Sequence, residues 1–351
     1  MKLYEAIAQI EEIDKGMIRA CESRWDKLCK PLNSLGRLEE YVSRLAGIYR
    51  TLTPKVEKKA VLIMAADNGV VSEGVTQTGS EVTAQVVRNM AKGKSTINIL
   101  SKVASAEVIP IDIGILEDVE EDNVIKYKIR KGTDNIINGP AMTREEAIKA
   151  IEVGIKVVGE LKDQYDLFIT GEMGIGNTTT SSAIASVMLD TSVETVTGRG
   201  AGLSTEGLKR KIQVIKTALE VNKPLKEDPI DVLAKVGGFD IAGLVGCYLG
   251  AALYKKPIIM DGFITTIAAL IAVQLQPKCK DYIFGSHVSK EPAGRMLLET
   301  LNIEGALDLS MGMGEGTGAI IASNLFDYAL KAYYEIPSFD DALIEEYTHQ
   351  I

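Results

Sequence analysis

The chain of 351 residues is 46% hydrophobic and 25% charged, a composition typical of a globular protein with a sizeable core. That length leaves room for one large domain or for two. The formal net charge of −9 argues against nucleic acid as the main partner, because nucleic-acid binding calls for a basic face.

The sequence has few residues that could bind a metal, and it shows no signal peptide or membrane-spanning segment. The four cysteines form no C-x-x-C pair, and only His287 and His349 could add imidazole ligands, so we expect no metal site and no disulfide framework. The N-terminus lacks the apolar core of a signal peptide, and no uncharged run reaches the ~18 residues of a membrane span. We therefore expect a cytoplasmic protein with no membrane partner.

Residues 1–50 predict helices, because apolar residues recur at helical spacing, most clearly between residues 38 and 45. A last helix is predicted around residues 326–334. We expect residues 1–50 and 325–351 to form a small helical domain, and residues 51–324 to form a large α/β domain.

Two apolar runs predict strands that are buried on both faces. Residues 60–66 run into Asp67, Asn68 and Gly69, and residues 107–113 end beside Gly114. Ligands bind outside the carboxyl ends of strands in open parallel sheets, so polar residues at these ends are candidates for binding.

The helix after the first strand is predicted to start at Ser80, whose side chain can cap it, and to carry Gln85. The charged segment 117–139 predicts a hairpin or an exposed excursion. Helical spacing resumes at Thr143.

Residues 166–170 predict a strand, and the loop GEMGIGNTTT at 171–180 then leads into a helix. A strand, a glycine loop and a helix N-terminus together bind phosphate through backbone N–H groups and the helix dipole. The loop lacks Gly-Lys-Ser/Thr, so it is no triphosphate P-loop, and no acid follows at the spacing of a dinucleotide site. A purely structural turn remains the alternative.

A second glycine loop at 197–204 precedes a helix with Lys209, Arg210 and Lys211 near its start. The helix dipole disfavours cations there unless an anion is close, which favours a phosphate nearby. A solvated basic face is the alternative.

Residues 257–260 predict another buried strand, which ends in Asp261, and Gly237 and Gly238 separate two helices. Strands that alternate with helices indicate an α/β domain with a parallel sheet. His287 on its own is more often structural than catalytic.

The segment 307–318 contains four glycines that alternate with other residues around a single carboxylate, Glu315. Glycines allow positive φ angles and bring the backbone close to a ligand, so a glutamate there could project toward it. A flexible loop with a solvated acid is the alternative.

Several motifs together resemble the nicotinate-nucleotide:dimethylbenzimidazole phosphoribosyltransferase family. In family order they are SLGRLE (34–39), ADNG (66–69), EVT (81–83), GEMGIGNTT (171–179), GGFD (237–240), DGF (261–263), SH (286–287) and GEGTG (314–318). The two long glycine motifs are specific, and the resemblance covers nearly the whole chain.

The resemblance implies transfer of the 5-phosphoribosyl group from nicotinate mononucleotide to a lower-ligand base of cobamides, without a cofactor or metal. It implies a homodimer, each subunit with a Rossmann-like domain and a small helical domain. On this analogy Glu315 is the general base, Glu172 faces the ribose, and Gln85 lines the base pocket. The phosphate is faced by Gly174, Gly176 and Lys211. The remaining predicted substrate-binding residues are Ile175, Asn177, Thr178, Ser80, Gly314 and Gly316.

Two departures from the family pattern leave the acceptor open. Leu32 and Asn33 stand where the family usually has Pro-Gly, and Arg295 stands near a common second histidine. The alternatives are a relative that activates phenols or purines, a subunit of a paired enzyme, and an NAD(P)-dependent oxidoreductase. The missing ribose-binding acid disfavours the oxidoreductase.

The chemistry suits a single base. The pyridinium leaving group already carries its positive charge, and an azole acceptor attacks with one nitrogen while losing a proton from the other. We expect the glycine loop to desolvate Glu315 and to bring its pKa toward neutrality, where a general base is most efficient.

Overall fold

Six parallel strands form one sheet in the computed structural model, which describes residues 1–347. His349 lies outside the described residues. The strands are β1 Lys59–Ala66, β2 Ala106–Gly114, β3 Ile125–Lys126, β4 Leu167–Met173, β5 Ile258–Met260 and β6 Ile283–Gly285. Their spatial order is β3-β2-β1-β4-β5-β6, and the predicted Rossmann-like α/β fold is confirmed.

Strand β1 is an inner strand of the sheet, and all eight of its residues are buried. It pairs with β2 on one side and β4 on the other. The chain order of the strands reverses between β1 and β4, and such a reversal opens a crevice at the carboxyl ends of the strands. The polar residues that were predicted at the end of β1, Asp67 and Asn68, lie at this edge of the sheet, where both are buried.

Helices cover both faces of the sheet. They are α1 Leu3–Gln9, α2 Lys15–Asp26, α3 Arg37–Tyr49, α4 Glu81–Ala91, α5 Thr96–Val103, α6 Arg144–Leu161, α7 Asn177–Met188, α8 Val193–Val196, α9 Thr205–Asn222, α10 Pro229–Val236, α11 Phe239–Leu253, α12 Phe263–Leu275, α13 Gly294–Leu301, α14 Thr317–Glu335 and α15 Phe339–Ala342. Among residues 1–347, none of these helices is long and apolar enough to cross a membrane.

Helix α11 packs directly on α6 through glycines. A Cβ on Gly246 would overlap the carbonyl oxygen of Ile151, and a Cβ on Gly154 would overlap that of Gly243. Only glycine allows the two helix backbones to approach this closely. The contact fixes the start of α11, which borders the crevice.

The N-terminal helices pack against α14. The ring of Trp25 lies 5.0 Å from that of Tyr333, and Tyr41 stacks on Phe326 at 4.9 Å. Helix α14 is continuous from Thr317, so the predicted domain boundary at residue 325 falls within it. The division into a large and a small domain remains a prediction.

Two local predictions are wrong. Segment 117–139 forms no hairpin, because its strand, β3, pairs in parallel with β2. The alternative of an exposed excursion fits most of the segment, although Val124 and Ile136 are buried. Ser80 occupies the N-cap position of α4, but its side chain makes no capping hydrogen bond.

Candidate active site

A cavity of about 280 Å³ opens at the carboxyl ends of β4, β5 and β6. The segments that follow these strands form its walls, together with residues 312–315 of the glycine-rich segment. Seven of the predicted site residues line it: Glu172, Gly174, Ile175, Asn177, Thr178, Gly314 and Glu315. The two long glycine motifs are far apart in the chain but meet in this cavity. The backbone N–H of Glu315 donates to Oε1 of Glu172, which lies 143 residues earlier.

Four other predicted residues lie behind or outside this wall. Gly176 and Gly316 are the N-cap residues of α7 and α14, next to the lining residues. Ser80 and Gln85 are not part of the lining, and Gln85 is exposed. Helix α4 nevertheless touches the glycine loop, because the backbone N–H of Ile175 donates to Oγ1 of Thr83 at 3.1 Å.

The loop between β4 and α7 is shorter than the sequence predicts. Strand β4 continues to Met173, so Glu172 belongs to the strand and only residues 174–176 form the loop. Gly176 has φ of 93°, and a Cβ on Gly174 would overlap the carbonyl oxygen of Ala66. The tight turn directs the N-terminus of α7 at the cavity, an arrangement that suits an anion.

Lys211 lies behind this end of the cavity and is fully buried. Its Nζ donates to Oγ1 of Thr178 at 2.8 Å and to the carbonyl oxygen of Gly198 at 3.3 Å. Burial lowers the pKa of Lys211 to about 8. A solvated basic face is therefore the wrong interpretation for Lys211, although Lys209 and Arg210 are exposed.

The backbone around Glu315 adopts three consecutive left-handed conformations. The φ angles of Gly314, Glu315 and Gly316 are 77°, 60° and 83°. Such a conformation is uncommon for a glutamate and persists only where the surroundings hold it. Asp261, directly after β5, does so: its Oδ2 accepts from the N–H of Gly316 at 3.2 Å and its Oδ1 from that of Ala319 at 2.9 Å. The alternative of a flexible loop is therefore wrong.

The side chain of Glu315 is 9% exposed, and its Oε2 has no hydrogen-bond partner. Burial, with a smaller contribution from the charge of Asp261, raises the pKa of Glu315 to about 7. The predicted shift toward neutrality is confirmed. A carboxylate in this state can accept a proton from a ligand in the cavity.

Glu172 faces the cavity beside Glu315. Its Oε1 accepts from the backbone N–H of Glu315 at 3.3 Å, and its Oε2 accepts from Nδ2 of Asn177. The same amide donates to Oδ2 of Asp240 at 3.0 Å. Burial raises the pKa of Glu172 to about 8 and that of Asp240 to about 7. Within residues 1–347, no three His, Cys, Asp or Glu side chains are placed to bind a metal together.

Sequence reasoning did not select three residues that the structure brings into the site: Asp240, Asp261 and His287. The imidazole of His287 lies in the cavity wall, with Nδ1 2.9 Å from Oγ of Ser286 and 3.9 Å from Oδ1 of Asp261. Asp261 and His287 follow buried strands within two residues, so the rule that identified Asp67 could have identified them as well. Asp240 begins a helix and gave no such signal.

Comparisons with known proteins agree with one another. A family model described as phosphoribosyltransferase matches residues 10–344. A nicotinate-nucleotide–dimethylbenzimidazole phosphoribosyltransferase of Acetivibrio thermocellus is 50% identical over 350 residues, which cover 99% of this chain and 100% of the relative. The protein of the same name from Ruminiclostridium cellulolyticum is 51% identical over 348 residues, 99% of each chain. The crystal structure of CobT from Thermus thermophilus is similar with a TM-score of 0.89 and 36% identity, covering 95% of this chain and 100% of that one.

Proposed function

The chain belongs to the nicotinate-nucleotide–dimethylbenzimidazole phosphoribosyltransferase family, and we propose that it transfers the 5-phosphoribosyl group of nicotinate mononucleotide to 5,6-dimethylbenzimidazole or a related lower-ligand base. Nicotinate leaves, and the α-ribotide product enters assembly of the cobamide nucleotide loop. The comparisons favour this transferase over the NAD(P)-dependent oxidoreductase that the glycine loops alone also allowed.

The observation that carries the proposal is the state of Glu315. A buried carboxylate with a free oxygen and a pKa of about 7 is suited to accept a proton at neutral pH. An azole acceptor has one proton to lose as its other nitrogen attacks the ribose. The reaction needs one such base, because the nicotinate leaving group departs without protonation.

The phosphate end of the donor is proposed to lie at residues 174–178, at the N-terminus of α7. The hydroxyl of Thr178 lines the cavity and is held by Lys211, whose ammonium spends two of its three hydrogens on protein oxygens. The buried charge and the helix N-terminus together offer a favourable place for phosphate. The ribose is proposed to lie between this end and Glu315.

Glu172 is proposed to stabilise the positive charge that develops on the ribose as the bond to nicotinate breaks. Its carboxyl faces the same cavity as Glu315 and is oriented by two N–H donors. When Glu172 is ionised, its negative charge in a site shielded from water stabilises an oxocarbenium-like transition state more than the same charge would in solution.

The resemblance also leads to proposals for the acceptor pocket, the assembly state and the compartment. Gln85 and Ser80 lie on or beside α4, which contacts the glycine loop through Thr83, and we propose that they border the acceptor. We also propose a homodimer in the cytoplasm, which remains a prediction from the resemblance. Purines and phenols remain alternative acceptors.

The test is incubation with nicotinate mononucleotide and a panel of benzimidazoles, purines and phenols, with nicotinate release as the signal. We expect release that depends on the acceptor, together with a new ribotide of that acceptor. Release without an acceptor would indicate a hydrolase, and absence of release with every acceptor would contradict the proposal.

A further inference from the structure

Behind the cavity wall, two buried carboxyls share one amide group. The amide nitrogen of Asn177 donates both to Oε2 of Glu172 and, at 3.0 Å, to Oδ2 of Asp240. Glu172 lines the cavity, whereas Asp240, at the start of α11, is fully buried and outside the lining. Asp240 has no part in the reaction as proposed above.

No positive charge compensates this pair. Neither Glu172 nor Asp240 makes an ion pair within the described residues, and the largest influences on the pKa of each are burial, hydrogen bonds and neighbouring carboxyls. A third carboxyl, Asp67, faces Asp240 from the end of β1 and raises its pKa further. Two carboxyls in such a place cannot both ionise near neutral pH, because like charges and burial each disfavour the second ionisation.

One cation, Arg130, lies beside Phe239, the residue before Asp240, but it already pairs with other carboxylates. The guanidinium of Arg130 lies 5.5 Å from the centre of the Phe239 ring. It pairs with Asp134 at 2.7 Å and with Glu146 at 2.9 Å. The pair of Glu172 and Asp240 therefore holds a proton near neutral pH.

The pKa values alone, about 8 for Glu172 and about 7 for Asp240, would leave that proton on Glu172, but they lie close together, and what separates the two carboxyls is where a hydrogen can be donated. Both oxygens of Glu172 already accept N–H groups, from Asn177 and from the backbone of Glu315. Asp240 also accepts N–H groups, from Asn177 and from the start of α11, so these donors alone do not separate the two carboxyls. A hydrogen on Glu172, however, would have to displace one of its two N–H donors. Glu172 is therefore suited to carry the negative charge.

Asp240 differs from Glu172 because one of its oxygens, Oδ1, has no hydrogen-bond partner, and an acceptor without a partner lies nearby. Neither Oδ1 of Asp240 nor Oδ1 of Asn68 has a hydrogen-bond partner. A Cβ on Gly238 would overlap both oxygens, so they occupy the same small space. The amide nitrogen of Asn68 points the other way and donates to the carbonyl oxygen of Ile175 at 3.4 Å. A hydrogen on Oδ1 of Asp240, donated to Oδ1 of Asn68, would satisfy both atoms.

We propose that Asp240 is a positioning residue that stays protonated, donates to Asn68, and through Asn177 keeps Glu172 ionised beside the reacting ribose. The inference rests on the proposed function for the role of Glu172, but the protonation of Asp240 does not. Burial raises the pKa of Asp240 more than the donors of Asn177 and of the helix start lower it. Ionisation of Asp240 at higher pH then places a second charge next to Glu172.

The first test measures stability, which does not depend on the reaction. The proton on Asp240 is bound more tightly in the folded than in the unfolded chain, so its contribution to stability is lost as pH rises through about 7. Asp240→Asn carries an amide in place of the protonated acid and does not titrate. We expect equal melting temperatures for parent and variant at about pH 4 and below, a variant that melts progressively higher than the parent as pH rises from about 4 to about 7, and a constant difference above that.

The matched control is Asp228→Asn. The carboxylate of Asp228 caps α10 and pairs with Arg144 at 2.7 Å, and its pKa is lowered, with burial opposing the effect of Arg144. The stability that the ionised Asp228 contributes is complete above the unfolded-state pKa of an aspartate. The difference in melting temperature between parent and Asp228→Asn should therefore not change with pH over the same range. A flat difference for Asp240→Asn would overturn the proposal and assign the amide of Asn68 to an ionised Asp240. A variant that does not fold would overturn it too.

The second test measures nicotinate release against pH. Asp240→Asn should keep the kcat and the acid limb of the parent, because Glu172 meets a neutral neighbour in both. Asp240→Ala leaves buried acceptors and donors without partners, so kcat should fall by about 10-fold or more while the KM of the donor changes little. An acid limb that moves in Asp240→Asn would contradict the assignment of the proton. A chain that passes the stability test but releases no nicotinate would refute the proposed function alone.

Discussion

Lys211 is buried, and its ammonium group donates two of its three hydrogens to protein oxygens. The third is available to the donor phosphate, so loss of Lys211 should affect the phosphate end of the substrate. If it holds the donor phosphate together with Thr178, Lys211→Ala removes a charge-assisted interaction worth roughly 1.5–3 kcal/mol. The KM for nicotinate mononucleotide should rise accordingly, whereas nicotinate riboside, which lacks the phosphate, should be used almost equally by both proteins.

Two comparisons check this expectation. Lys209→Ala, two residues earlier and exposed, should leave both substrates unchanged. Because the pKa of Lys211 is lowered to about 8, the KM of the parent should rise as pH increases through that value, and the variant should lack this rise. If the riboside and the mononucleotide suffered equally, Lys211 would not bind phosphate.

Substitution of Gln85 tests the proposed acceptor pocket. Its side chain is exposed on α4, so its loss should cost little stability. If it orients the polar edge of the acceptor, Gln85→Ala should change the ranking of benzimidazoles, purines and phenols while the KM of the donor stays constant. Asn89→Ala, exposed on the same helix, is the control. An unchanged ranking would remove Gln85 from the pocket.

At the scale of elements, the link between β5 and α14 holds the base in place. Asp261 accepts from two backbone N–H groups at the start of α14, which otherwise would be buried without partners. Asp261→Ala should therefore destabilise the chain by about 1–3 kcal/mol and lower kcat more than donor binding, because Glu315 loses its fixed position. Thermal unfolding and steady-state kinetics measure the two effects.

The control lies in the same glycine-rich segment. Asp308 is 62% exposed and meets Arg295 only at 3.5 Å, so Asp308→Ala should change stability by about 0–1 kcal/mol and leave kcat intact. Equal losses in the two variants would mean that the segment is sensitive to any change, and that Asp261 has no special role.

The strongest elements could be predicted from local pattern. The apolar runs of β1 and β2 were located to within about a residue, since burial on both faces leaves a continuous apolar sequence. Strand β4 was predicted too short because Gly171 and Glu172 look like loop residues, although the sheet pairs them with β1. Strand β3 has two residues and exists only through its pairing with β2, which no local pattern encodes.

At the scale of the whole molecule, the sequence predicted which segments carry chemistry but not how they meet. Glu315 and the loop 174–178 stood out because glycine is frequent around them. The roles of Asp240 and Asp261 depend on partners far along the chain: Asn177 for one, and the N-terminus of α14 for the other. Such contacts follow from the sheet order, so they became visible only with the fold.

If Glu315 is the general base of the phosphoribosyl transfer, removing its ability to accept a proton should slow only acceptors that must lose one. The experiment compares nicotinate release by the parent and by Glu315→Gln, with 5,6-dimethylbenzimidazole and with a benzimidazole methylated on one nitrogen. The glutamine keeps the shape of the side chain but cannot accept a proton, so turnover with the ordinary acceptor should fall by ~10²–10⁴-fold while donor binding survives. The methylated acceptor has no proton to lose, and both proteins should use it about equally. Loss of donor binding, or near-normal turnover of the variant with 5,6-dimethylbenzimidazole, would contradict the assignment.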